Sequence, residues 1–368
     1  MEKKGKREMD PGGFAVYRPV ILDRDYLAEK ALDQFSRSHP GTWRNFSALQ
    51  KTLVLEEFRE SIRSLEESLA TDNPAMIIDH SRWAKVHLTA MHFPENHVPL
   101  VLDALGEVLQ KELPPDFRKQ AGAFVTGSLA VLKKTSTDIP SFITADGPHA
   151  DTARSFLDAL IAADQDRAGT VLENAVRSGT PLKDIYIHVL QPVLQETGRL
   201  WQLNTISIAQ EHFVTASVVT YMIRLHDRFL PAGGGEKGRR GSTVVAASVG
   251  AELHDVGIRM VADFFTMDGW DTYYLGANTP VQSILGAVLD RKADLITLSA
   301  TMPRHLPDVQ YLIRSLRGDR KTAGVKIIVG GYPFRIIPEL WKQVGADAYA
   351  GDAEEAVVVA DRLMKKHR

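Results

Sequence analysis

The chain has 368 residues, enough for two or three domains, and its 44% apolar and 24% charged residues are the balance of a folded globular protein. Lys and Arg number 44 against 46 Asp and Glu, a net charge of -2, so the overall charge gives no sign of nucleic-acid binding. There is no cysteine, which rules out disulfides, thiolate metal sites and thioether-linked chromophores. No run approaches 18 uninterrupted apolar residues, so no membrane span is expected. The start, Met1-Glu-Lys-Lys-Gly-Lys-Arg, is not followed by an apolar core and does not read as a secretory signal. The expected address is cytoplasmic.

Residues 1–20, with Pro11-Gly-Gly13, read as a flexible leader. From 21 to 140 the periodicity is helical. Leu55, Phe58, Ile62, Leu65 and Leu69 recur at spacings of three and four, as do Val101, Leu105, Val108 and Leu109. Asp72-Asn-Pro74 and Leu113-Pro-Pro115 break the pattern. An all-α N-terminal domain of about five to seven helices follows from this pattern. One stretch within it, His80 to His97, gathers His80, Arg82, Trp83, Lys85, His87, His92, Phe93 and His97. Trp83 and His87 are i,i+4 neighbours on one helical face. An amphipathic helix with incidental histidines is one reading. The other is a pocket for a planar, anionic ligand, with aromatic walls and cationic donors. His87 and His92 are five apart, which does not make a close helical metal pair.

Residues 135–148 read as a linker. A second helical block spans 148–230, with helices expected near 151–163, 166–178, 181–200 and 205–229, an antiparallel four-helix bundle. The run Pro231-Ala-Gly-Gly-Gly-Glu-Lys-Gly-Arg-Arg-Gly241 is a second flexible linker. From 242 to 368 apolar runs alternate with helical patterns. Strands are expected at 244–249, 271–275, 294–299, 325–329 and 347–350. Helices are expected after 257 and near 281–290, 306–316, 337–344 and 353–366. Five strands alternating with five helices give a doubly wound parallel sheet. Ligands of such sheets sit at the carboxyl ends of the strands.

The first strand runs into Gly250-Ala-Glu252-Leu-His254-Asp-Val-Gly257. The loop has no GxGxxG, so a dinucleotide is not the obvious ligand. A histidine two residues after a carboxylate can have one ring N–H held and the other nitrogen free for a metal. On residue types alone, an ordinary polar loop histidine remains the plainer reading.

Glu252-x-His254-x-x-Gly257 resembles the (Asp/Glu)-x-His-x-x-Gly signature of cobalamin-binding domains related to methionine synthase. Leu298-Ser299-Ala300-Thr301 and Val329-Gly330-Gly331 are similar to the two motifs that follow it in that family. The resemblance implies a Rossmann-like domain that binds cobalamin base-off, with His254 as lower cobalt ligand. It places Glu252, Asp255, Gly257, Ser299, Thr301, Gly330, Gly331 and Tyr332 around the cofactor. Trp201, nine residues, then Glu211-His212 resembles the Trp-x9-Glu-His cap of cobalamin-dependent photoreceptors. That implies adenosylcobalamin, with Trp201, Glu211 and His212 at its upper face. Gln202 departs from the family's repressors, which carry a histidine after the tryptophan.

The order of helical N-domain, four-helix cap and cobalamin domain resembles photocobilins, in which a globin-like domain binds a bilin. The resemblance implies non-covalent biliverdin near Arg82, Trp83, His87 and His92. Together these imply a light-sensing protein, not an enzyme, whose cap and cobalamin domain repack on photolysis. A corrinoid methyl-carrier subunit of a methyltransferase is the alternative, and one lacking a substrate barrel is not a mutase. A homodimer is expected, with an unknown downstream signalling partner, no direct nucleic-acid contact and no membrane.

Overall fold

The computed structural model describes residues 17–229 and 240–365. Six helices open the chain: α1 (Arg24–Ser38), α2 (Pro40–Asn45), α3 (Ala48–Thr71), α4 (Ala75–Ala90), α5 (His97–Glu112) and α6 (Pro115–Leu132). Their boundaries follow local chemistry. Ser47 and Gln50 form a reciprocal capping box at the start of α3, and Asp72 ends that helix in the left-handed region at φ 53°. The apolar faces of these helices close on one core that includes Phe35, Phe58, Ile62, Leu65 and Leu105, all fully buried.

The second block is α7 (Ala150–Ile161), α8 (Gln165–Arg177), α9 (Leu182–Ile185), α10 (Gln191–Gln202) and α11 (Ile208–Phe229). Between α9 and α10 the helix continues as a π-helical turn, Tyr186–Leu190, with Gln191 N–H donating to the Tyr186 carbonyl. Pro192 explains the widening. It cannot donate to a carbonyl one turn back and its ring crowds that turn, so the bonds before it lengthen to i→i+5. The segment between α6 and α7 carries no regular structure but is tied down. Ile143 is buried in the cap core, the Phe142 N–H donates to Glu196, and Arg199 donates to the Ile139 carbonyl at 3.0 Å.

The third block is a parallel sheet in the order β2-β1-β3-β4-β5. Its elements are β1 (Thr243–Val249), α12 (Val256–Met267), β2 (Asp271–Thr279), α13 (Val281–Asp290), β3 (Leu295–Ser299), a 3-10 turn (Pro303–His305), α14 (Leu306–Gly318), β4 (Lys326–Gly330), α15 (Tyr332–Ile336), α16 (Leu340–Val344), β5 (Ala348–Tyr349) and α17 (Ala353–Lys365). β1 is an inner strand, between β2 and β3, and buried along its length after Thr243, as its continuous valine and alanine run requires of a strand covered on both faces.

Two expected elements differ. The helix expected at 337–344 begins only at Leu340, as α16, and a short helix that was not expected, α15, precedes it. Pro338 forces Ile337 into the extended region (φ -122°, ψ 92°), ending α15, and the helix restarts at Leu340. β2 runs four residues past its expected end at 275. Gly276 takes φ 78° in a bulge opposite Ala246 and Ala247 and lets the ladder continue.

The cap packs on one face of the sheet through α12 and α17, where Tyr186 donates to Asp263 at 2.8 Å and meets Phe264 edge-on. The N-terminal domain reaches the other face. Ala70 and Met76 join the core beneath α14, and so does Tyr17. Residues 1–16 of the expected leader lie outside the described residues, but Tyr17 contradicts a flexible reading of its end. Its side chain is 1% exposed, its hydroxyl donates to Glu67 at 3.1 Å, and its carbonyl accepts from Gln310 at 2.9 Å. Of the expected linker 231–241, only Arg240 and Gly241 lie among the described residues, and Arg240 pairs with Asp268 and Asp361. No helix among the described residues is long and apolar enough to cross a membrane.

Candidate functional site

The loop after β1 is built around a buried carboxylate. Gly250 leaves the strand at φ 62°, where a Cβ would lie 2.2 Å from an Asp308 oxygen. Glu252 is 0% exposed, and four hydrogen bonds reach it. Its Oε1 takes the His254 ring Nδ1 at 2.6 Å and the His254 backbone N–H at 3.0 Å; its Oε2 takes the N–H groups of Thr301 and Met302 at 2.7 and 3.0 Å. Burial pushes this carboxyl up, but those hydrogen bonds outweigh it and hold the group at about 2. An ionised carboxylate only accepts, so His254 Nδ1 carries the proton and Nε2 is left free. The bond from Glu252 pushes the imidazole pKa up, against its desolvation, and the side chain is 61% exposed. His305 stands behind, 3.9 Å from Glu252, with its pKa pushed down by burial. This is a histidine with one nitrogen fixed and one available, as a metal ligand needs. Among the described residues no group of three or more His, Asp or Glu side chains could hold a metal ion by itself.

Beside the loop a cavity of about 250 Å3 opens at the carboxyl ends of β3 and β4, lined by Gly257, Ser299, Thr301, Gly330, Gly331 and, from the cap, Gln191, Leu194 and Gln195. A Cβ on Gly257 would meet nothing within 4 Å, so that glycine keeps space open. Gly331 is different. At φ 101°, a Cβ would sit 2.1 Å from the Ala300 carbonyl oxygen, so this glycine lets two loops touch. Thr297 also lines the cavity, and its buried hydroxyl has no hydrogen-bond partner. An orphaned hydroxyl, walls without side chains and a largely apolar lining fit the long tail of a nucleotide-bearing cofactor.

The structure brings Glu252, His254, Gly257, Ser299, Thr301, Gly330 and Gly331 to one end of the sheet. Asp255 turns away and accepts from Tyr274 at 2.8 Å. Tyr332 instead donates its hydroxyl to Asp79 of α4. Thr301 reaches Glu252 through its backbone. Sequence reasoning missed Thr297, His305 and the Gln191 face of α10. Thr297 and His305 flank the Leu298–Thr301 motif and could have been found from it. The α10 face gives no such signal.

On the cap, Glu211 pairs with His212 at 2.6 Å and accepts from Thr215 at 3.0 Å. Its charge is close enough to help raise the pKa of His254. His212 is 73% exposed. Trp201 is half-buried and lies against the N-terminal domain, its ring 5.7 Å from Trp83 and 5.3 Å from His87. Two of the four expected bilin residues therefore contact the cap. Arg82 and His92 are exposed, with His92 at φ 64° in the turn after α4. Lys85, read as a further cationic donor, is unavailable. It is buried, donates to the carbonyls of Leu132 and Thr135 and pairs with Glu95.

Two family models, both described as a B12 binding domain, match residues 242–360 and 152–225. Dimethylamine corrinoid protein 3 of Methanosarcina mazei is 30% identical over 122 residues, 33% of this chain and 71% of that protein. The HTH-type transcriptional repressor CarH of Myxococcus xanthus is 29% identical over 208 residues, 56% of this chain and 67% of that protein. The solved structure of the Methanosarcina barkeri monomethylamine corrinoid protein matches with a TM-score of 0.52 at 20% identity, covering 59% of this chain and 100% of that one, a likeness of fold.

Proposed function

The chain belongs to the family of cobalamin-binding proteins that share the B12 binding domain, and from that premise we propose that it is a non-catalytic light sensor holding adenosylcobalamin. In this reading His254 Nε2 is the lower cobalt ligand, oriented by Glu252, and the cofactor's displaced tail takes the cavity of Gly257, Gly330, Gly331 and Thr297. Trp201, Glu211 and His212 form the upper wall. Bound adenosylcobalamin supplies a cobalt–carbon bond that light breaks.

The observation that carries the reading is the double hold on the cap. Tyr186 and His226 share Asp263 of α12 at 2.8 and 3.0 Å, and Trp201 is held from outside by α4. A methyl carrier must swing its cap clear of the cobalt at every turnover. A cap gripped from two sides suits a device that stays closed until its upper ligand is lost and then repacks, a shift between two states. Following the resemblance to photocobilins, a globin-like N-domain holding biliverdin non-covalently near Arg82 and His92 would extend the response to red light. The chain's lack of cysteine supports the non-covalent attachment.

The methyl-carrier reading is favoured by the relatives of the chain, most of which are described as dimethylamine corrinoid proteins. The upper ligand separates the two. Protein loaded with adenosylcobalamin should change its absorption spectrum and its hydrodynamic radius on illumination. A light-stable spectrum together with methyl transfer to an acceptor would establish the carrier instead. His254→Ala should bind cobalamin at least about tenfold more weakly with an altered spectrum; wild-type affinity and spectrum in that variant would remove His254 from the cobalt. Coexpression with a biliverdin source tests the N-domain through a far-red band lost on denaturing extraction.

A further inference from the structure

The N-terminal domain lies outside both matched regions, yet it supplies two rings that pack on the tryptophan placed at the upper face. Trp83 and His87 stack at 4.8 Å and 28°, and both rings lean on Trp201 at 36° and 33°. Hydrogen bonds lock the pair. His87 Nδ1 lies 3.0 Å from the Gln202 carbonyl, which can only accept, so Nδ1 donates. The Gln202 side-chain amide donates in return to the Trp83 carbonyl at 3.2 Å. Gln202 is the last residue of α10, and its carbonyl has no partner within the helix. A side chain of α4 therefore caps the helix end that carries Trp201.

We propose that Trp83 and His87 are positioning residues that fix the Trp201 ring, so that the N-terminal domain sets which upper ligand the cobalamin site accepts. The inference rests on the reading of Trp201 as the upper wall. Left alone, a half-buried tryptophan one residue from a helix end would sample several rotamers, and a wall that moves discriminates poorly between a bulky and a small upper group. With two rings behind it and the helix end capped, the indole has one seat. The departure at Gln202 takes on a role here. The side chain at this position faces the N-terminal domain and holds Trp83, where the family's repressors carry a histidine.

The test measures dissociation constants of the full-length protein for adenosylcobalamin and for methylcobalamin in the dark, and follows their ratio. Trp201→Ala should reduce the preference for adenosylcobalamin most. Trp83→Ala should reduce it by about five- to tenfold, the size of one lost aromatic pair. His87→Asn keeps a donor for the Gln202 carbonyl but loses the ring, and should fall between wild type and His87→Ala. Trp83→Ala added to Trp201→Ala should change the ratio no further, because both act through one ring. Asp79→Ala, which cuts a different contact of α4, should leave the ratio unchanged. If Trp201→Ala alters the ratio while Trp83→Ala, Trp83→Phe and His87→Ala do not, the N-terminal residues have no positioning role. If Asp79→Ala alters it as much as Trp83→Ala, the effect is domain docking in general and the proposal fails. A ratio indifferent to Trp201→Ala itself rejects the upper-wall reading, and this inference with it.

Discussion

Glu67 carries a pH signature away from the candidate site. It sits where α3 meets Tyr17, with Glu66, Arg24 and Arg63 as its charged neighbours. Burial, aided by Glu66, pushes its carboxyl up to about 7 from the ordinary 4.5, against the hydrogen bond from Tyr17 and the two arginines. Below pH 4.5 the group is neutral folded or unfolded and costs nothing. Between 4.5 and 7 the unfolded chain ionises first, so stability falls through that window and stays reduced above it. Glu67→Gln keeps an acceptor for the Tyr17 hydroxyl. It should leave the urea midpoint unchanged at pH 3.5, where the carboxyl is protonated folded or unfolded, and raise stability at pH 8 by up to about 3 kcal/mol. Equal midpoints at pH 8 would show that Glu67 is not the group responsible. At the candidate site, the Glu252–His254 pair was legible in the sequence because both partners lie in one loop. The unsatisfied state of the Thr297 hydroxyl was not, because that is a fact of packing.

At the scale of elements, two of the glycines at the cavity, Gly257 and Gly331, separate folding from binding. Gly257→Val adds its side chain to open space on a helix. It should leave the unfolding temperature of the cofactor-free protein within a few degrees of wild type, while cobalamin affinity falls at least about tenfold by loss of tail volume. Gly331→Ala meets the Ala300 carbonyl in a left-handed backbone and should destabilise the protein itself. Calorimetry and a cobalamin titration on the two variants check this. An affinity unchanged in Gly257→Val would place the tail elsewhere. The sheet was largely readable because parallel strands buried on both faces read as unbroken apolar runs. It was misread at Gly276 and Pro338, where φ 78° sustains a strand and an extended Ile337 separates two short helices. Periodicity carries neither event.

Across the whole molecule, the three blocks meet through contacts that no local pattern announces. Gln202 and Trp83 are 119 positions apart, Tyr332 and Asp79 253. A linker at 135–148 follows from composition, and the segment is held along the cap by Glu196, which takes the Phe142 N–H and two guanidinium nitrogens of Arg199. Removing one partner of a buried, hydrogen-bonded ion pair costs roughly 3–5 kcal/mol. Glu196→Ala should therefore free the segment, and trypsin should cut at the exposed Lys133 and Lys134 at least about tenfold faster than in wild type. Cleavage at the wild-type rate would mean that the burial of Ile143 holds the segment without the carboxylate.

Tyr17 and Gln310 are 293 positions apart. At ribosomal speeds of roughly 5–20 residues per second, about 15 to 60 s pass between the emergence of one and the other. Through that interval the N-terminal domain must persist with the sides of Tyr17, Ala70 and Met76 that later join the core beneath α14 uncovered, whereas the faces of Trp83 and His87 wait only about 6 to 24 s for Trp201 and Gln202. The surface that later meets α14 is thus open to misassociation on the nascent chain for longer than the one that grips the cap, and it needs chaperone protection before any cofactor can bind.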